Sequence, residues 1–176
     1  MKKLSVCVFL FFLFTLNGCT NRLAPNWFDK IPEDPTTLIV KYKAESDSLQ
    51  LAIKFAEDGA KKKLTAIVGQ QIRDLRTELD KEIKLNEQQD LLYFFNKRVR
   101  AIVTANLVKI NVKKQHTVNQ EGTWHTFIVV EYPLAEANKA LVDEFKRNMA
   151  MYELISKAQA FVSLEKQVEL AFANKE

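Results

Sequence analysis

Cys19 is the side chain with the most definite chemistry to offer. It follows a basic start, Lys2-Lys3, and an almost unbroken apolar run from Leu4 to Leu16, and it closes the sequence Leu16-Asn17-Gly18-Cys19. That order reads as an export signal ending in a lipobox, whose cysteine sulfur receives a diacylglyceryl group. As a helix the run of about 13 residues reaches roughly 20 Å, short of a ~30 Å hydrocarbon core, so it inserts without spanning comfortably. Thr20 follows the cysteine where an Asp would favour inner-membrane retention, and the expected address is therefore the outer membrane. Each buried acyl CH₂ contributes about 0.8 kcal/mol, so a multiply acylated Cys19 anchors the chain without a transmembrane helix.

The remaining reactive side chains point to no reaction. Cys7 lies inside the leader, which leaves one cysteine in the mature chain and excludes an internal disulfide or a structural zinc site of several thiolates. His116 and His125 flank a predicted hairpin turn without a third ligand, and they read as exposed strand residues rather than metal ligands. Asp74, Glu78, Asp80 and Glu82 are interleaved with Arg73, Arg76, Lys81 and Lys84, which suits surface pairs along a helix better than general acid and base. Lys61-Lys62-Lys63 and Lys113-Lys114 read as solvated faces rather than contacts with anionic lipid. No phosphate-binding glycine loop, nucleophile elbow or metal helix motif occurs, so neither an enzyme nor a cofactor is expected. The formal charge of +4 falls to near balance once Lys2 and Lys3 are removed, and no nucleic-acid partner follows.

The elements that position these residues follow from periodicity. With 176 residues, 47% hydrophobic and 27% charged, the chain is one domain's worth of folded protein. Its expected parts are a signal peptide (1–18), a lipidated N-terminus and tether (19–35), an α+β core (36–133) and a helical extension (134–176). In the tether, Trp27-Phe28 is costly to leave in water and is expected to dock on the domain. Thr37 to Glu45 alternates as a half-buried strand. After Ser46-Asp47, either of which can cap, Ala52, Phe55, Ala56, Ala60, Leu64, Ile67, Val68, Ile72, Leu75, Leu79 and Ile83 follow helical spacing, with Gly59 and Gly69 weakening that helix or permitting close packing. Asn86 and Gln89 resemble a capping box for a second helix with Leu91, Phe95 and Val99 inward. Leu107 to Val118, with Val108, Ile110 and Val112 on one side, and Thr123 to Tyr132 make a hairpin through Asn119-Gln120-Glu121-Gly122. Pro133 then starts one helix, or two in line, reaching about Asn174, with Ala137, Leu141, Phe145, Met149, Tyr152, Ile155, Val162 and Val168 inward. The expected fold class is α+β: a strand-helix(-helix)-strand-strand core with a long C-terminal helix and one sheet face packed on helices.

If Trp124, Ile128, Val130 and Tyr132 point toward the helices, Phe127 and Val129 point away. With Ile39 and Leu107 they then form an exposed apolar patch suited to self-association, unless the tether or the C-terminal helix covers it.

Three features together resemble the twenty-kilodalton surface lipoprotein (LPP) family, which includes flagellum-associated outer-membrane lipoproteins. They are the lipobox, then Pro25-Asn26-Trp27-Phe28 with Pro32, then a strand followed by Ser48-Leu49 and alanines 52, 56 and 60. Phe127-Ile128-Val129-Val130-Glu131-Tyr132-Pro133 is similar to that family's closing strand, and the resemblance covers roughly residues 25 to 135. It implies a small strand-helix-strand-strand core and a non-enzymatic outer-membrane or surface lipoprotein that often assembles with copies of itself; other envelope proteins are further candidate partners. Val40-Lys41-Tyr42-Lys43-Ala44 departs from the family's glycine-containing first strand, as do the roughly 40 helical residues after the core. Only Cys19 carries over as a site residue. The expectation is thus a lipid-anchored structural or assembly component of the envelope; the alternatives are a surface-exposed adhesin and a carrier that binds a small apolar ligand between helix and sheet.

Overall fold

The computed structural model describes residues 23–30 and 34–173. The signal peptide, Cys19 and Pro32 lie outside the described residues. The elements are α1 (Asn26–Asp29), β1 (Leu38–Ser46), α2 (Leu49–Ile83), a 3₁₀ turn (Leu85–Glu87), α3 (Gln89–Leu107), β2 (Asn111–Gln120), β3 (Thr123–Tyr132), α4 (Leu134–Arg147), α5 (Met149–Ile155) and α6 (Gln159–Ala173). Three antiparallel strands in the order β1-β3-β2 form one sheet, with helices packed on one of its faces. The fold is the expected α+β class.

Strand alternation decides which residues meet α2. Val40 lies opposite Val130 and Tyr42 opposite Ile128, and this face packs on Ala56, Ala60, Leu64 and Val68. Alanines at every fourth position leave no bulk between helix and sheet, so the helix backbone approaches closely. Gly59 takes this further, because the Tyr42 ring lies against its Cα where any Cβ would intrude.

At 35 residues, α2 is about 52 Å long by its 1.5 Å rise, whereas a ten-residue strand spans only about 33 Å. Its second half therefore overhangs the sheet. There Leu79 joins Leu91, Phe95, Leu141, Phe145, Phe161 and Leu164 in a second core built by helices alone. Ile72, Ile102 and Val103 pack against both cores and mark the seam between them.

Several local expectations are corrected. The N-cap of α2 is Ser48, whose amide donates to Ser46 Oγ, rather than Ser46 or Asp47. Asn86 caps no helix: α2 stops at Lys84, in the left-handed region at φ 52°, and Asn86 sits inside the 3₁₀ turn with its amide on Asp80 Oδ1. β2 begins at Asn111, because α3 continues through Leu107 and the chain turns by Lys109 and Ile110 amide bonds to the carbonyls of Asn106 and Leu107. After Pro133 the chain does not run in line. It breaks at Asn148, whose side chain caps α5, and again before Gln159, so that α6 returns to pack on α4. Each break resets the helical phase, which leaves Met149 and Val162 exposed while Leu141, Phe145, Ile155 and Val168 are buried. The extension is integral to the domain, since Ala137 belongs to the sheet-side core and the Ala135 amide donates to the Thr36 carbonyl.

The hairpin loop is two residues, with Glu121 at φ 52° and Gly122 at φ 86°. Positive φ at both positions is the type I′ pattern, which matches the right-handed twist of the strands and favours Asn-Gly. Glutamate gains nothing there and bears the left-handed Cβ clash. Glu121→Asn should stabilise the fold by about 0.5–1 kcal/mol in urea denaturation, and an unchanged midpoint would contradict this account of the turn.

Candidate functional site

The sheet face turned away from α2 carries the residues expected to self-associate, and the seam between the two cores offers space for a ligand.

On the outer sheet face, Phe127 and Val129 do point away from the helices, but no exposed apolar patch exists. Their exposures are 2% and 0%. Phe28 from the short helix α1 stands edge-on over Phe127, with ring centroids 5.2 Å apart at 76°, and Trp27 lies beside it. Lysine stems close the rest of the face. Lys43 Nζ lies 5.6 Å from the Phe127 ring, Lys114 Nζ lies 5.7 Å from Trp27, and Lys41 donates to the Asp29 carbonyl at 3.4 Å. Ile39 is half-buried, and Leu107, at the end of α3, packs with the sheet-side core on the opposite face. The four residues offered for self-association are therefore neither exposed nor gathered on one surface. The tether occupies the place a partner was expected to take. Phe28→Ala should uncover Phe127 and lower stability by about 1–3 kcal/mol, with faster tryptic cleavage at Lys30. Unchanged cleavage would show that this contact does not hold the segment.

The histidines separate. His116 faces Phe127 and His125 faces Val118, so the imidazoles are not cross-strand partners. His116 is exposed, but His125 is buried, against expectation, with Nδ1 3.1 Å from Glu45 Oε1 and no aligned hydrogen bond. Lys43, and after it His125, hold the Glu45 carboxyl below the usual glutamate range. Among the described residues no three His, Cys, Asp or Glu side chains converge as a metal site.

The carboxylates on α2 divide by role. Glu78 pairs with Lys81 at 2.7 Å and Asp74 accepts from Gln70, as a solvated helix face should. Asp80 and Glu82 do something else. Glu82 accepts from the amides of Gln159 and Ala160, at 3.0 Å for the latter, and so closes the N-terminus of α6 from 77 residues away in sequence. A carboxylate there satisfies orphan amides and meets the positive end of the helix dipole. Local sequence cannot reveal it, because the capping group comes from another helix.

At the seam a cavity of about 270 Å³ opens between α2, α3, α4 and α6, against the end of β3. Its walls include Ile72, Leu75, Ile102, Val103, Leu141 and Leu164. The polar residues that line it are Gln71, Asn138, Gln167, Ser163 and Tyr132, with no carboxylate, histidine, lysine or arginine. Tyr132 is 1% exposed, and its hydroxyl has no hydrogen-bond partner among the described residues. Burial alone pushes its pKa above the ordinary tyrosine value, so it stays protonated and able to donate. A second depression of about 400 Å³ shares Leu134, Asn138 and Gln167 with the first. No sequence signal announces this space, which depends on the angle at which α6 returns across α4.

Site and fold together define an α+β module whose short helix α1 is docked on the sheet and whose helices line a half-open pocket with no charged residue. No family model, curated protein or solved structure matches the chain. Among the described residues no helix is long and apolar enough to cross a membrane.

Proposed function

We propose that this chain is a lipid-anchored, non-enzymatic component of a bacterial outer membrane, with a structural or assembly role in the envelope. The order Lys2-Lys3, apolar run, Leu16-Asn17-Gly18-Cys19 carries the reading. The docked Phe28 supports it: nine residues after Cys19 extend at most about 32 Å, so an acylated Cys19 holds the outer sheet face close to the bilayer. A firmly docked tether suits a module kept at a set distance from its membrane. The resemblance to the twenty-kilodalton surface lipoproteins belongs to the same reading, as does assembly with further copies. The burial of Phe127 and Val129 moves any such contact away from the sheet face.

Intact mass of the mature protein tests the anchor, with an N-terminal, acylated Cys19 as the expected result. Cys19→Ala should abolish the modification, and a variant still processed and held in the outer membrane would reject the reading. Light scattering after gentle extraction reads assembly directly: a strictly monomeric protein would remove self-assembly from the proposal.

A further inference from the structure

The seam between the two cores is lined like a binding site, and it holds a polar group that the fold leaves unused. Tyr132 sits at the inner end of β3, almost fully buried, with its hydroxyl unpartnered among the described residues. The hydroxyl is not one of the sealed, unpartnered polar atoms, which among the described residues are Arg98 Nε and His125 Nδ1, so it stays open to a water or a ligand in the adjoining space. The cavity is the space this ring lines. Ile72, Ile102 and Val103 remain only partly buried although they touch both cores, so apolar surface faces a void that the fold does not close.

We infer that this cavity binds a single aliphatic chain bearing an uncharged oxygen function, a long-chain alcohol being the simplest case. Size sets the length. An apolar cavity of about 150 Å³ accepts a benzene, so 270 Å³ suits about ten to twelve carbons. Chemistry sets the head. No lining residue carries a charge to pair with a carboxylate, phosphate or ammonium group, whereas the Tyr132 hydroxyl and the amides of Gln71, Asn138 and Gln167 donate to or accept from a neutral oxygen. The walls come from four helices and one strand, the arrangement in which small-molecule sites commonly form. This binding does not depend on the Cys19 anchor.

A photoactivatable test uses the full chain in lipid nanodiscs and a diazirine-bearing dodecanol, with the matching diazirine dodecane as control. Adducts are mapped by peptide mass spectrometry. Saturable labelling is expected at Ile72, Ile102, Val103 and Leu164, with the alcohol favoured over the alkane about two- to tenfold by the hydrogen bond to Tyr132. Tyr132→Phe should erase that preference and leave alkane labelling unchanged. Ile102→Trp, or Ser163→Phe from the opposite wall, should abolish labelling at these sites while circular dichroism stays that of the parent. Should both filling variants fail to fold, labelling of the parent chain and of Tyr132→Phe decides the matter. Non-saturable adducts spread over exposed side chains such as Phe55 and Leu170 would overturn the site. An alcohol preference that survives in Tyr132→Phe would overturn the assignment of the oxygen function.

Discussion

Replacing Phe145 by alanine should lower the unfolding free energy by about 3–5 kcal/mol, the range for emptying a buried phenylalanine site. Phe145 is 0% exposed and sits where α3, α4 and α6 converge. Its ring meets Phe94 at 5.3 Å and Phe161 at 5.4 Å, both near edge-on, and Phe95 at 6.1 Å. Edge-to-face pairs add about 0.5–1.5 kcal/mol each beyond area burial, so several favourable contacts are lost with one side chain. The surrounding residues sit on helices fixed at both ends by other contacts, and they collapse only in part. Urea denaturation of the full chain measures the effect, with Phe145→Leu expected to retain most of the stability. A loss below about 1 kcal/mol for Phe145→Ala would mean that the helical core is not organised around this ring.

Gly59→Ala should destabilise the domain by about 1–3 kcal/mol, although alanine is the better helix former by about 1 kcal/mol. An added Cβ would fall inside the Tyr42 ring, overlapping Cε1 and Cζ and lying 2.8 Å from Cδ1. The ring is held between β1 and α2 and cannot move aside as the tip of a lysine would. Two controls isolate the cause. Gly69 lies in the same helix, where an added Cβ meets only the Arg73 guanidinium at 3.5 Å, so Gly69→Ala should stabilise by about 1 kcal/mol. In a Tyr42→Ala background, Gly59→Ala should lose its penalty and approach the effect at Gly69. If Gly59→Ala proves stabilising in the parent chain, the close approach of β1 to α2 is wrong.

Gly59 also shows where sequence reading stops. Its two possible roles, weak helix position or close contact, cannot be separated from the chain alone, because the deciding atom belongs to Tyr42, 17 residues earlier on a strand. Elements whose cause is local were legible. The alanine spacing set α2, alternation set the faces of β1, and Gly122 set the hairpin, whereas the apolar run Phe127 to Val130 left β3 without an alternating face. The inward list for α4 held as far as Phe145. It failed at Met149 and Val162, because Asn148 stops the helix and the phase is lost.

By itself the sequence determined the α+β class and the antiparallel hairpin, and it left the facing of β3 conditional, with Phe127 and Val129 outward only if Ile128 and Val130 pointed toward the helices. These depend on backbone periodicity and on which side chains avoid water, both properties of neighbouring residues. Tertiary structure alone decided what covers the outward face, that Glu82 caps a helix 77 residues away, and that the two cores meet around a 270 Å³ cavity with Tyr132 on its wall. Each of these arises where residues distant in the chain come together. Phe28 meets Phe127 from about 100 residues away in sequence, and the cavity lies where α2, α3, α4 and α6 come together. Periodicity states which way a side chain points; only the packed fold states what, if anything, it meets there.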